Sequence, residues 1–145
     1  MTVLTTISAL QTKHLGVTGM KSAPTAMPSN LDQVTLPVAL VWPGEATWDM
    51  QAIDLKRQDR TYLVRVYVQA VAQGIAGPDE GYQAAAALLE RFGAAYMADL
   101  SLGGAVDHIS AVRDSGVSGG GFELLWGGVT YWGFVYRVTV VEKSS

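Results

Sequence analysis

Few side chains in this sequence could carry covalent or acid–base chemistry, and their spacing says how. Gly116-Val117-Ser118-Gly119-Gly120 matches G-x-S-x-G, the pattern that seats a serine nucleophile on a strained turn. That elbow needs a strand before the serine and a helix after it. Here the strand-like run FELLW follows, and glycines on both sides make a soft loop. Asp107 and His108 precede the serine, the reverse of the hydrolase-fold order. A hairpin loop is the favoured reading, and Ser118→Ala is expected to leave any turnover unchanged.

Other chemistries are weaker still. No Lys-Ser or Lys-Thr follows the glycines, so they make no phosphate-binding P-loop. The two histidines, His14 and His108, lie far apart. Asp107 and His108 could ligate a divalent ion, but neighbours on a strand point to opposite faces, which favours a surface histidine. The absence of cysteine removes disulfides, thiolate zinc sites and cysteine nucleophiles together. Asp49, Asp54 and Asp59 fit a solvated arm as well as an acid–base pair. Arg60, Arg65 and Arg137 could meet phosphate, with carboxylates or a neighbouring subunit as the favoured partners. No catalytic residue, metal ligand or cofactor site is assigned.

The elements that position these residues are clearer. Phe122 to Glu142, FELLWGGVTYWGFVYRVTVVE, reads as a hairpin turning at Gly127-Gly128. The register sets Trp126 opposite Val129, Leu125 opposite Thr130, Leu124 opposite Tyr131 and Glu123 opposite Trp132. One face of the second strand carries Trp132, Phe134, Tyr136, Val138 and Val140. The other carries Val129, Tyr131, Val135 and Val141, interrupted by Gly133, Arg137 and Thr139. A solvated antiparallel sheet has one polar face. This strand has none, so both faces are expected to meet something.

Upstream, Val3, Ile7, Leu10 and His14 recur at helical spacing, predicting a helix over 1–16 that ends near Gly16. Residues 17–35, with Pro24 and Pro28, read as a linker. Leu36 to Trp42 reads as an edge strand between Pro37 and Pro43. Residues 44–60 mix Trp48 and Ile53 with charges and read as a loop or long hairpin arm. Thr61 to Ala72 alternates as a strand, with Tyr62, Val64, Val66, Val68 and Ala70 on one face against Arg65, Tyr67 and Gln69. Pro78-Asp79-Glu80 opens a helix to about Asp99, buried through Tyr82, Ala85, Ala86, Leu89, Phe92, Gly93 and Tyr96. Gly103-Gly104 breaks the chain, Ala105 to Arg113 reads as a strand, and 114–121 as a flexible turn. The class is α+β, one domain over 1–145. Its antiparallel (mixed) β-sheet carries an N-terminal helix and one long helix packed on it.

Composition narrows the function. The 145 residues carry a net charge of −3, which argues against a dedicated nucleic-acid binder. The N-terminus shows no basic region ahead of an apolar core, so no signal peptide is expected. No apolar run approaches the ~20 residues that span a bilayer, so no membrane partner is expected.

The segment order resembles that of tail terminator (tail completion) proteins of long-tailed bacteriophages. The resemblance rests on a short N-terminal helix and a proline-bearing linker into LPVALVWPGEA (Leu36 to Ala46). It continues through a charged arm ending in RTYLVRVYV (Arg60 to Val68), an alanine-rich helix, a glycine break, and GGVTYWGFVYRVTVVE (Gly127 to Glu142). It implies a virion protein, assembled in the host cytoplasm, forming a homohexameric ring on the last ring of the tail tube. The implied partners are further copies of the chain, the major tail tube protein and the head-side connector or head-closure protein. Genomic DNA would pass through without specific binding. Interface residues expected on this basis are Trp48, Asp49, Arg57, Asp59 and Arg60 on the arm, Asp114 and Ser118 at the loop, and Trp132 and Arg137 on the hairpin. The alternatives are a head-closure or neck connector, a monomeric ligand-binding domain lined by the aromatic hairpin, and a small hydrolase using Ser118.

Overall fold

A computed structural model describes residues 3–28, 35–49, 56–70, 78–117, 125–126 and 129–144. Its elements run α1 (Val3–Leu15), β1 (Val38–Asp49), β2 (Lys56–Ala70), α2 (Pro78–Ala98), β3 (His108–Asp114), β4 (Leu125–Trp126) and β5 (Val129–Ser144). All strand pairs are antiparallel, in the spatial order β1-β2-β5-β3, with β4 paired to β5. The α+β reading is correct. The only parallel contact among the described residues is an isolated bridge from Ser22 to Val38.

Both helices lie on one face of the sheet, because their apolar stripes match its long aliphatic rows. Ile7 and Leu10 of α1, with Ala85, Leu88, Phe92 and Tyr96 of α2, share one cluster with Ala39, Val41, Tyr62, Val64, Val66, Phe134, Tyr136, Val138 and Val140. We call this the inner face. Its centre is aromatic: Phe92 meets Phe134 edge to face with centroids 5.3 Å apart, and Tyr96 meets Tyr136 at 5.2 Å. The Tyr136 hydroxyl donates to the Leu89 carbonyl at 2.6 Å. Burial pushes its pKa up to about 12.

The helix pair is keyed by one polar side chain. His14 is fully buried; its Nδ1 sits 2.8 Å from Gln11 Oε1 and its Nε2 2.6 Å from the Tyr96 hydroxyl. Gln11 Nε2 in turn donates to the carbonyls of Pro24 and Ala39, tying α1 to the linker and to β1. A buried network of this kind stabilises only when each member is satisfied.

The structure refines or corrects several expectations. For 44–60 the hairpin-arm alternative holds over the loop among the described residues, with Ala46↔Arg60 to Asp49↔Arg57 paired as strands. Pro43 did not end β1, because the strand is at the sheet edge and a bulge follows at once, between Pro43 and Ala46. Ala70 sits on the opposite face from Val66, since a second bulge between Tyr67 and Gln69 shifts the alternation by one residue. In α2 the buried stripe runs through Leu88, while Tyr82 is 52% exposed. Finally, β3 begins at His108: Leu102, Gly103 and Gly104 adopt positive φ, and Asp99 accepts from the backbone N–H groups of Ser101 and Gly103, holding a turn there.

Candidate functional site

The outer face of the sheet, away from the helices, divides into an aromatic end and a basic centre. At the aromatic end Tyr67 lies across from Gly133. Tyr67 meets Tyr131 and Trp126 edge to face at 5.5 and 5.9 Å, and Trp126 meets Trp42 at 6.2 Å. Val38, Leu40, Ala70 and Val135 complete this second core. The expectation that both faces of β5 are covered is met here by the chain itself: β4 pairs with β5 in the expected register, Trp126↔Val129 and Leu125↔Thr130, and brings Trp126 over the face. The remaining expected pairs, from Leu124 and Glu123, lie outside the described residues.

The basic centre follows from the strand register. Leu63 pairs with Arg137 and Arg65 with Val135 across β2 and β5, while Arg137 pairs with Arg113 across β5 and β3. Cross-strand partners point to the same face, so Arg65, Arg113 and Arg137 share the outer side. The Arg65 guanidinium lies 5.4 Å from the centroid of the Trp42 ring, a cation–π contact. Burial raises the pKa of the Tyr67 hydroxyl, opposed by the adjacent Arg65. Neither Arg65 Nε nor the Tyr67 hydroxyl, both buried, has a hydrogen-bond partner of good geometry. A depression of about 270 Å³ lined by Leu63, Arg65, Ser115, Val135 and Arg137 opens beside them.

The expected interface residues fall in three places. Trp48, Asp49, Arg57, Asp59 and Arg60 come together on the β1–β2 arm. There the Arg57 guanidinium forks onto Asp59, with Nε–Oδ1 at 2.7 Å and Nη2–Oδ2 at 3.0 Å. This hydrogen bond and the paired charge raise the Arg57 pKa and lower that of Asp59. Asp49 faces Arg57 across the ladder, and Arg60 donates to the Gly44 carbonyl at 2.8 Å. Trp48 is 58% exposed. Arg137 stands at the basic centre instead, some distance along β5. Trp132 is elsewhere again, at the inner-face end of β5, where its indole lies against Gly81 and meets Tyr82 edge to face at 6.2 Å.

Asp114 closes β3 opposite Tyr136 and accepts from the Gly116 N–H at 2.8 Å, so it belongs to the sheet and not to a loop. Ser118 lies outside the described residues. The expectation that Asp107 and His108 diverge is also corrected. Asp107 precedes the strand, and its Oδ2 sits 2.7 Å from His108 Nδ1. His108 is partly exposed, and no group of three or more potential metal ligands occurs among the described residues.

Arg113 was not among the expected site residues, and Arg65 was expected to meet phosphate, a carboxylate or a neighbouring subunit. The signal for Arg113 was available only through register: its row-mate Arg137 could be placed once β3 was known to pair with β5. Of the strand arginines expected to meet carboxylates or a neighbouring subunit, Arg60 donates to the Gly44 carbonyl, and Arg65 and Arg137 make no ion pair among the described residues. Ion pairs seen among the described residues include Lys13–Asp99 and Arg57–Asp59.

No protein-family model and no curated protein sequence matches the chain. Among the described residues no helix is long and apolar enough to cross a membrane.

Proposed function

We propose that this chain is a structural assembly protein, a tail terminator of a long-tailed bacteriophage that caps the tail tube as a ring and offers a surface to the head-side connector. The observation that carries the reading is the arm. β1 is buried from Val38 to Val41, emerges at Pro43 and stays largely exposed to Asp49, pairing again with β2 from Ala46 after the bulge. A ladder that outruns its own core presents paired backbone and an exposed tryptophan to something outside the domain. Tryptophan and arginine are the side chains that most often anchor protein interfaces, and Trp48 and Arg57 both sit on this arm. The resemblance in segment order described above supports a tail terminator as the kind of assembly.

In this reading the arm meets a neighbouring copy, one end of the ring meets the tube protein, and the genome passes through a central opening. A chain of net charge −3 suits passage, because every phosphate held by Lys or Arg adds salt-dependent affinity. Purified tail tubes lacking their terminator provide the test. Added protein is expected to cosediment with the tubes and to sit at one end in electron micrographs, and Trp48→Ala is expected to weaken this. Protein that stays in the supernatant with tubes competent for capping would refute the proposal.

A further inference from the structure

Among the described residues, Arg65, Arg113 and Arg137 on the outer face make no ion pair. Arg113 and Arg137 stand directly opposite each other on β3 and β5, a like-charge arrangement that costs stability unless negative charge lies nearby. Arg65 sits one row further along, stacked on Trp42, with its buried Nε unpaired. Burying a polar group without a partner is costly, and a chain of net negative charge has carboxylates enough to have supplied one.

We propose that the depression beside Arg65 and Arg137 receives a carboxylate side chain from an acidic segment of a partner polypeptide. Its walls fit that chemistry. Leu63 and Val135 supply apolar surface for the methylenes of a glutamate, Arg65 and Arg137 supply guanidinium donors, and Arg113 adds charge from the next strand. Guanidinium groups recognise carboxylates through paired, nearly parallel hydrogen bonds, which a lysine cannot reproduce. A continuous polyanion suits the face less well. Glu45 lines the adjoining depression together with Leu63 and Arg137, and Asp59 lies in the same outer row of β2. A nucleic-acid backbone tracking the sheet would run onto these carboxylates, whereas one inserted side chain would not. The inference does not rest on ring formation: an acidic partner is called for whether the chain works as a monomer or in an assembly.

Fluorescence anisotropy with a labelled glutamate–serine repeat peptide tests it, alongside a duplex oligonucleotide of equal net charge in the same buffer. The intact protein is expected to bind the peptide more tightly than the duplex. Arg137→Gln and Arg113→Gln, both at exposed positions, are expected to weaken peptide binding by about tenfold each. Unchanged melting curves will establish that both variants fold. Arg91→Gln, which removes a guanidinium on α2 that donates to the Thr18 carbonyl, serves as the charge-matched control and is expected to bind normally. Absence of peptide binding, a preference for the duplex, or an equal loss in the Arg91 variant would each overturn the proposal.

Discussion

Replacing His14 by glutamine isolates a single titration in the core. His14 is completely buried, stacked on Phe92 with centroids 5.1 Å apart and edge-on to Tyr96. Burial, reinforced by the neighbouring Lys13 charge, lowers its pKa from 6.5 to about 3. The folded state therefore holds a neutral imidazole over a range in which the unfolded chain binds a proton. Protonation favours the unfolded state there, so this contribution to stability is intact above about pH 6.5 and is lost progressively as pH falls towards 3. Each pH unit within that window costs about 1.4 kcal/mol. From pH 6 to pH 4.5 the loss attributable to His14 is then about 2 kcal/mol. At roughly 3–4 °C per kcal/mol for a chain of this size, that is roughly 6–8 °C in melting temperature. Thermal denaturation followed by circular dichroism at the two pH values, for the wild type and His14→Gln, gives the difference directly. The variant is expected to melt lower at pH 6, having lost a fitted ring, but to fall by several degrees less on acidification. Parallel curves for the two proteins would refute the buried neutral histidine.

Other consequences concern packing and the arm. A Cβ built on Gly81 would come within 2.3 Å of Trp132 Cδ1, so Gly81→Ala must displace the indole. Overpacking of about 1–3 kcal/mol should outweigh the helix-propensity gain of about 1 kcal/mol, and the melting temperature should fall. In a Trp132→Ala background the same change should become neutral or stabilising, and additive effects would count against the contact. Tyr96→Phe removes the hydroxyl beside His14 Nε2 and should cost about 1–3 kcal/mol in urea titration, the penalty of an unsatisfied buried group. A cost near zero would mean that water replaces it. Trp48→Ala, by contrast, should leave the melting temperature nearly unchanged while reducing self-association, because this exposed ring has little of the folded core to lose. A large stability loss there would place Trp48 in the core.

Periodicity carried the fold because burial follows it. The 3.6-residue recurrence of Ile7, Leu10 and His14 and the period-2 rows of β2 and β5 both report a face turned inward. The Gly127-Gly128 spacing likewise fixed the register of Trp126 and Val129. What was not legible came from places where alternation breaks. The bulge between Tyr67 and Gln69 moved Ala70 to the other face, and the bulge after Pro43 let β1 continue through a proline that otherwise reads as a boundary. Long-range pairing was hidden as well. Nothing local in the sequence says that β5 inserts between β2 and β3, so the row joining Leu63, Arg137 and Arg113 could not be read in advance. The arm residues were recognisable as a group because they are contiguous, whereas the arginine centre is assembled from three strands. His14 was placed correctly on the apolar face of α1, but its partner Tyr96, 82 residues away, was not.

We propose above that the chain assembles into a ring through its arm. Light scattering coupled to size exclusion over a wide concentration range, with negative-stain images of each peak, tests this most directly. The expected result is a species near six times the 15.4 kDa subunit mass that appears as closed rings and is depleted by Trp48→Ala. A single monomeric mass at every concentration, unaltered by that substitution, would contradict it.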